Sequence, residues 1–140
     1  MVDSTVILKK TAHIRHNLFR LNEKKDISPA TFKEDSDLQD IVLHNLQLAI
    51  QGCIDIGSHI ISYEGWGVAG SLNEIFYILQ ERGVIDAGLV DKMVSMVGFR
   101  NILVHEYEAV DLGIVYNILQ GHLKDIDEFL LAVVDFFGIQ

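Results

Sequence analysis

Arg100 and His105 stand five residues apart, with Asn101 directly after the arginine and Tyr107 two residues beyond the histidine. Those residue types suit phosphate chemistry. Histidine is the side chain best matched to proton transfer near neutral pH. Arginine is permanently charged and forks onto phosphate oxygens, which suits a developing pentavalent phosphate. Together they suffice for RNA cleavage without a metal. A 2′-hydroxyl attacks the adjacent phosphate, the bond to the 5′-oxygen breaks, and His105 moves the protons. The expected products are a 2′,3′-cyclic phosphate and a 5′-hydroxyl end, and no cofactor is expected.

Helical spacing constrains this pair. Five residues separate Arg100 and His105 by roughly 140° around an α-helix, while Arg100 and Tyr107 share a face about 10 Å apart along it. Asn101, one turn before His105, is placed to hold the imidazole or touch the phosphate. One straight helix does not aim Arg100 and His105 at a single point. Either the helix breaks near His105, or two copies of the segment meet across a dimer interface; the dimer is the preferred reading. On spacing alone, a salt-bridged arginine and a packed core histidine fit the same residues.

The elements that must position these residues read as five helices without a strand. The first covers about 5–25, with Ile7, Leu8, Ile14, Leu18 and Leu21 on one face. A loop around Ser28-Pro29-Ala30 follows. A long second helix, capped among Asp35, Ser36 and Asp37, reaches about residue 63. Its Val42, Leu46, Ala49, Cys53, Ile56, Ile60 and Tyr63 alternate spacings of four and three, a seam for packing along another helix. Gly65-Trp66-Gly67-Val68-Ala69-Gly70 matches the dinucleotide fingerprint in letters only. That motif needs a preceding strand, and here a helix precedes it, so it reads as a turn. Ser71-Leu72-Asn73-Glu74 resembles a capping box opening a third helix that ends near residue 83. Asp86 caps the fourth helix, which is apolar on several sides and runs into 100–107; such a helix is usually central. The fifth covers about 112–137. Short connections between these helices predict an all-α, up-and-down bundle of four to five helices in a single domain, 1–140.

Bulk properties agree. Nearly half of the 140 residues are apolar, which excludes disorder. No apolar run approaches the ~20 residues of a membrane span, and no signal-peptide pattern opens the chain, so a cytoplasmic location is expected. One cysteine, Cys53, excludes an internal disulfide and a cysteine-based zinc site; it reads as a buried thiol. The net charge of −9 speaks against a simple electrostatic nucleic-acid binder, and no DNA partner is expected. Its distribution is uneven. Residues 1–25 carry six Lys/Arg against two Asp/Glu, a balance of +4, and the remainder carries five against eighteen, a balance of −13. A basic first helix on an acidic body can track phosphates, although a solvated helix face fits as well. His13 and His16, with Arg15 and Arg20 near, could touch RNA or a metal; two histidines are an incomplete metal site, and no metal is expected. His44, His59 and His122 read as structural. Asn45 and Asp55 read first as buried hydrogen-bonding residues and second as support for the cleft, and Trp66 as a candidate interface anchor.

Arg100-x4-His105-x-Tyr107, with Asn101 after the arginine, resembles the signature of the HEPN superfamily in its HepT-toxin form. The resemblance extends over Val42 to Gln51, Asp55 to Ile61, Leu72 to Phe76, Gly83 to Ile85 and Phe99 to Tyr107, and so over nearly the whole chain. It implies a homodimeric helical bundle with a cleft lined by both copies of the motif. It implies a toxin ribonuclease with tRNA as the expected target, using Arg100 and His105 as catalytic residues and Asn101 in support. It also implies a cognate nucleotidyltransferase antitoxin of the MntA type that adds AMP groups to Tyr107. A bulky anion beside His105 would block substrate phosphate by occupancy and charge. The competing expectation is a non-catalytic helical-bundle partner of a nucleotidyltransferase, which the acidity of residues 26–140 would suit.

Overall fold

The computed structural model describes residues 2–139. Its elements are α1 (Ser4–Glu23), α2 (Pro29–Glu34), α3 (Ser36–Glu64), α4 (Leu72–Glu81), α5 (Ala87–His105), a 3-10 turn (Tyr107–Ala109), α6 (Leu112–Gly121) and α7 (Leu123–Phe137), with no strand among the described residues. The all-helical expectation is met, with two differences. The expected loop at Ser28-Pro29-Ala30 is the start of a helical turn, in which Ser28 Oγ accepts from the Thr31 amide and Pro29 occupies the first position. The expected fifth helix is two helices, broken at His122, whose φ of −123° lies outside the helical well.

Side-chain caps fix most helix starts. Asp3, Ser28, Asp35, Ser71, Asp86 and Asp111 each accept an amide of the first turn, which satisfies donors that the helix itself cannot. The capping box at α4 is displaced by one residue: Ser71 Oγ takes the Glu74 amide, while Glu74 Oε2 takes that of Gly70 rather than Ser71. Gly65 (φ 69°) terminates α3 in the left-handed region, and Gly67 (φ 106°) continues the turn, as read from the glycine cluster.

Helix α3 is the spine. The seam Val42, Leu46, Ala49, Cys53, Ile56 and Ile60 is fully buried, while Tyr63, expected to end it, is exposed; α1, α2, α4, α5 and α7 all pack against this helix. Helices α1 and α5 flank it antiparallel, since Asn17 meets Asn45 while Ile14 meets Gly52, and Arg100 meets Gln51 while Tyr107 meets Asp40. Buried apolar side chains from all seven helices form one contiguous core. Cys53 is fully buried, and burial pushes its thiol well above the ordinary range. Trp66 is not a free anchor. It packs against Phe136 and Phe137 under the Arg82 guanidinium, closing the α3–α4 loop onto the end of α7.

Two glycines let helices approach α3 closely. A Cβ at Gly57 would stand 2.5 Å from Cγ2 of buried Ile75, an atom fixed to the branched carbon and unable to swing aside. Gly57→Ala therefore lowers stability by about 1–3 kcal/mol, because overpacking outweighs the gain in helix propensity of about 1 kcal/mol. Gly98→Ala on α5, where a Cβ meets nothing within 4 Å, raises stability by about 0.5–1 kcal/mol. Urea titration at fixed protein concentration measures both. Equal and stabilising shifts would mean that α4 does not seat on Gly57.

Candidate active site

Arg100 lies on the penultimate turn of α5, half-buried against α3. Its Nε donates to Gln51 Oε1 at 3.0 Å, and one terminal nitrogen donates to Asn101 Oδ1 at 3.0 Å. Gln51 is itself held, its amide donating to Asp55 Oδ1 at 2.9 Å one turn further along α3. Both direct partners of the guanidinium are neutral amide oxygens. They orient its plane without cancelling its charge, and three of its five N–H donors stay free for a ligand. No carboxylate pairs with Arg100 among the described residues. The guanidinium is held in place by its back edge, an arrangement that can receive an anion.

Helix α5 ends at His105. Glu106 leaves the helical well at φ −140°, ψ 50°, its amide donating to Ile102 O at 2.8 Å, and Tyr107 opens the 3-10 turn. The break falls just after His105, so Arg100 and His105 stay on one continuous helix and one chain does not aim them at a single point. His105 is exposed and makes no hydrogen bond or ion pair among the described residues, so its ring is not held by Asn101. That amide is turned to Arg100 instead. Adjacent in sequence and on the half-buried side of the helix, the two side chains reach each other before the short Asn101 can reach the helix end.

Tyr107 is half-exposed, its hydroxyl donating to Asp40 Oδ1 on α3 at 3.4 Å. Partial burial, then the Asp40 charge and that hydrogen bond, raise the phenol above its ordinary range, so it stays protonated at neutral pH. Within one chain, α3 thus holds Arg100 through Gln51 and Tyr107 through Asp40, while His105 stands between them, unsupported. Leu48 on α3 and Val104 on α5 are exposed, while exposed Ile102 faces the recess between α5 and α6.

Gln51 and Asp40 were not anticipated. Their partners lie 49 and 67 residues away in sequence. Nothing in α3 singles them out, since the helix carries many other polar residues besides its buried seam. Asp55 does support the cleft from behind, through Gln51. Asn45 does not: it accepts from Asn17 at 3.2 Å and ties α3 to α1. Of the histidines read as structural, His122 binds buried Asp125 at 3.0 Å at the α6–α7 break. His59 is stacked on Tyr63, its charged form disfavoured chiefly by burial. His44 is exposed. Neither His13 nor His16 joins a metal-ligating cluster among the described residues.

Known proteins share both sequence and fold with this chain. The family model described as "Ribonuclease HepT-like" matches residues 14–133. The mRNA nuclease HepT of Shewanella oneidensis is 36% identical over 125 residues, 89% of this chain and 93% of that protein. The tRNA nuclease HepT of Aphanizomenon flos-aquae is 29% identical over 123 residues, 88% and 84% of the two chains. Among solved structures, the tri-AMPylated Shewanella oneidensis HEPN toxin in complex with MNT antitoxin superposes with a TM-score of 0.86 at 35% identity, covering 96% of this chain and 99% of that one. With the match spanning most of its length and the Arg100–Tyr107 motif seated on α5 and its terminal turn, the chain belongs to the ribonuclease HepT-like family.

Proposed function

We propose that residues 1–140 form one domain acting in the cytoplasm as the ribonuclease toxin of a toxin–antitoxin pair, and that Arg100 and His105 carry out metal-independent endonucleolytic cleavage of RNA. The observation that carries this reading is the anchoring of Arg100 by neutral amides, which leaves an oriented, unneutralised cation on the helix that ends at exposed His105. A scaffold bundle has no need of that arrangement, since a structural arginine would be paired with a carboxylate.

The reaction follows from the groups present. The 2′-hydroxyl loses its proton to an imidazole and attacks the phosphorus, Arg100 stabilises the charge on the non-bridging oxygens, and the 5′-oxygen leaves with a proton. Two proton transfers and one His105 per chain favour a site built from two copies, each contributing one imidazole. Exposed Leu48 and Val104 supply apolar surface for that pairing. Asn101 supports the reaction by fixing Arg100. Tyr107 is the acceptor of AMP groups from a nucleotidyltransferase antitoxin of the MntA type.

Relatives named for mRNA and for tRNA leave both RNA classes as substrates to be offered. Purified protein is incubated with each in chelator beside His105→Ala. Cleavage by the wild type alone supports the reading. Equal cleavage by both, or none by either, sinks it. Gln51→Leu should lower kcat about tenfold to a hundredfold with a smaller change in KM, because the guanidinium loses its rear anchor while its charge remains. A change in KM alone would make Gln51 a binding residue instead.

A further inference from the structure

A groove of about 340 Å³ runs between α1 and α3, lined by Lys10, His13, His16, Leu48, Gln51 and Asp55. It shares Gln51 and Asp55 with the chain of hydrogen bonds that ends on Arg100, so groove and receptor are two sides of one wall. Its floor is Gly52, where α1 approaches α3 so closely that a Cβ would stand 2.5 Å from Ile14. The cations of α1 divide between two faces. Arg15 is paired with Asp127 of α7 at 2.6 Å and Arg20 with Glu23 at 3.5 Å. Lys10, His13 and His16 are turned to the groove, and Lys10 forms no ion pair among the described residues. The one acidic residue lining it, Asp55, already accepts from the Gln51 amide.

We propose that this groove holds the RNA strand on one side of the bond that Arg100 and His105 cut, with Lys10 on a neighbouring phosphate and His13 and His16 against bases and backbone. The proposal rests on the ribonuclease reading of Arg100. The lining selects the occupant: in a chain of net charge −9, this recess presents an unpaired lysine and two imidazoles, and it adjoins the phosphate receptor across the Gln51 side chain. Its apolar lining, Leu48 and Ile14, and its imidazoles suit the flat, unstacked bases of a single strand better than a regular duplex, whose bases face inward.

The test uses the intact protein and a fluorescent single-stranded RNA made uncleavable by 2′-O-methyl groups. Affinity is read by anisotropy across a salt series. Lys10→Ala/His13→Ala/His16→Ala should bind about tenfold more weakly, with the slope of log affinity against log salt reduced by about 0.7 for the lost phosphate contact. Lys33→Ala, which removes an exposed charge on α2, serves as the control and should bind as the wild type does. On cleavable RNA the triple variant should raise KM much more than it lowers kcat. Unchanged affinity and slope in the triple variant, while the wild type binds and cuts RNA, overturn the groove and leave the ribonuclease reading standing. A wild type that neither binds nor cuts RNA overturns both. An affinity loss accompanied by a change of oligomeric state in sedimentation also overturns the groove, because the recess then seats a second copy of this chain.

Discussion

His105→Ala lowers the rate of RNA cleavage in chelator by roughly a thousandfold, within the range that a positioned proton-transfer group contributes. The fold is retained, since His105 is exposed and holds nothing else in place. Arg100→Ala costs roughly a hundredfold to a thousandfold, the usual loss when one preorganised donor to a developing oxyanion is removed. Arg100→Lys recovers little of it, because an ammonium cannot donate to Gln51 and Asn101 and present a fork at the same time. Transformant counts give the same ranking in cells: the wild type expressed alone is lethal, and both alanine variants are tolerated. Cleavage products carry a 2′,3′-cyclic phosphate. A 3′-hydroxyl end, or toxicity untouched by Arg100→Ala, would assign the activity to other residues.

Tyr107→Phe abolishes neutralisation. Co-expressed with its nucleotidyltransferase, the wild type gains mass in steps of one AMP and loses its nuclease activity, whereas the phenylalanine variant gains none and stays toxic. The half-exposed phenol lies at the end of α5, open to a second protein and steadied by Asp40. Each AMP would convert a neutral hydroxyl into a phosphodiester anion on the edge of the receptor, where it competes with substrate for space and repels its phosphates. Because partial burial, the Asp40 charge and the hydrogen bond to it hold the phenol above its ordinary range, only a small phenolate fraction is present at neutral pH to attack the phosphorus. The transfer rate should therefore rise with pH through neutrality without a plateau set by Tyr107. The same mass on Tyr107→Phe, read by intact-protein mass spectrometry, would move the modification elsewhere.

What the sequence made legible follows from the range of the interactions. The seam of α3 and the many-sided apolar surface of α5 are local periodicities, and both helices lie where those patterns place them. The α6–α7 break escaped notice because Val115, Ile118, Leu119, Leu123 and Ile126 keep one face in phase across it, and all of them are buried. Only the His122–Asp125 contact marks the corner. Helix α2 carried a start signal, Ser28 with Pro29 after it, yet six residues are too few to show a period. At the site, Arg100, His105 and Tyr107 were named from their chemistry and from resemblance. The second ring around them, Gln51 and Asp40, depends on α3 folding back beside α5, and no local spacing encodes that. The packing of Trp66 on Phe136 and Phe137 was equally illegible, those partners lying some 70 residues further on.

The two props on α3 have a consequence of phase. Asp40 and Gln51 are separated by eleven residues of uninterrupted helix, about 16 Å of rise and close to three whole turns. One rigid rod therefore fixes both how far the phenol stands from the guanidinium and which way each prop points. Inserting a single residue between them turns one about 100° from the other, so that either the tyrosine or the arginine loses its support. Lengthening the connection between Ala109 and α6 does neither. Drift in this segment is thus quantised: the distance between the guanidinium and the phenol can change by whole turns of α3, but not by single residues.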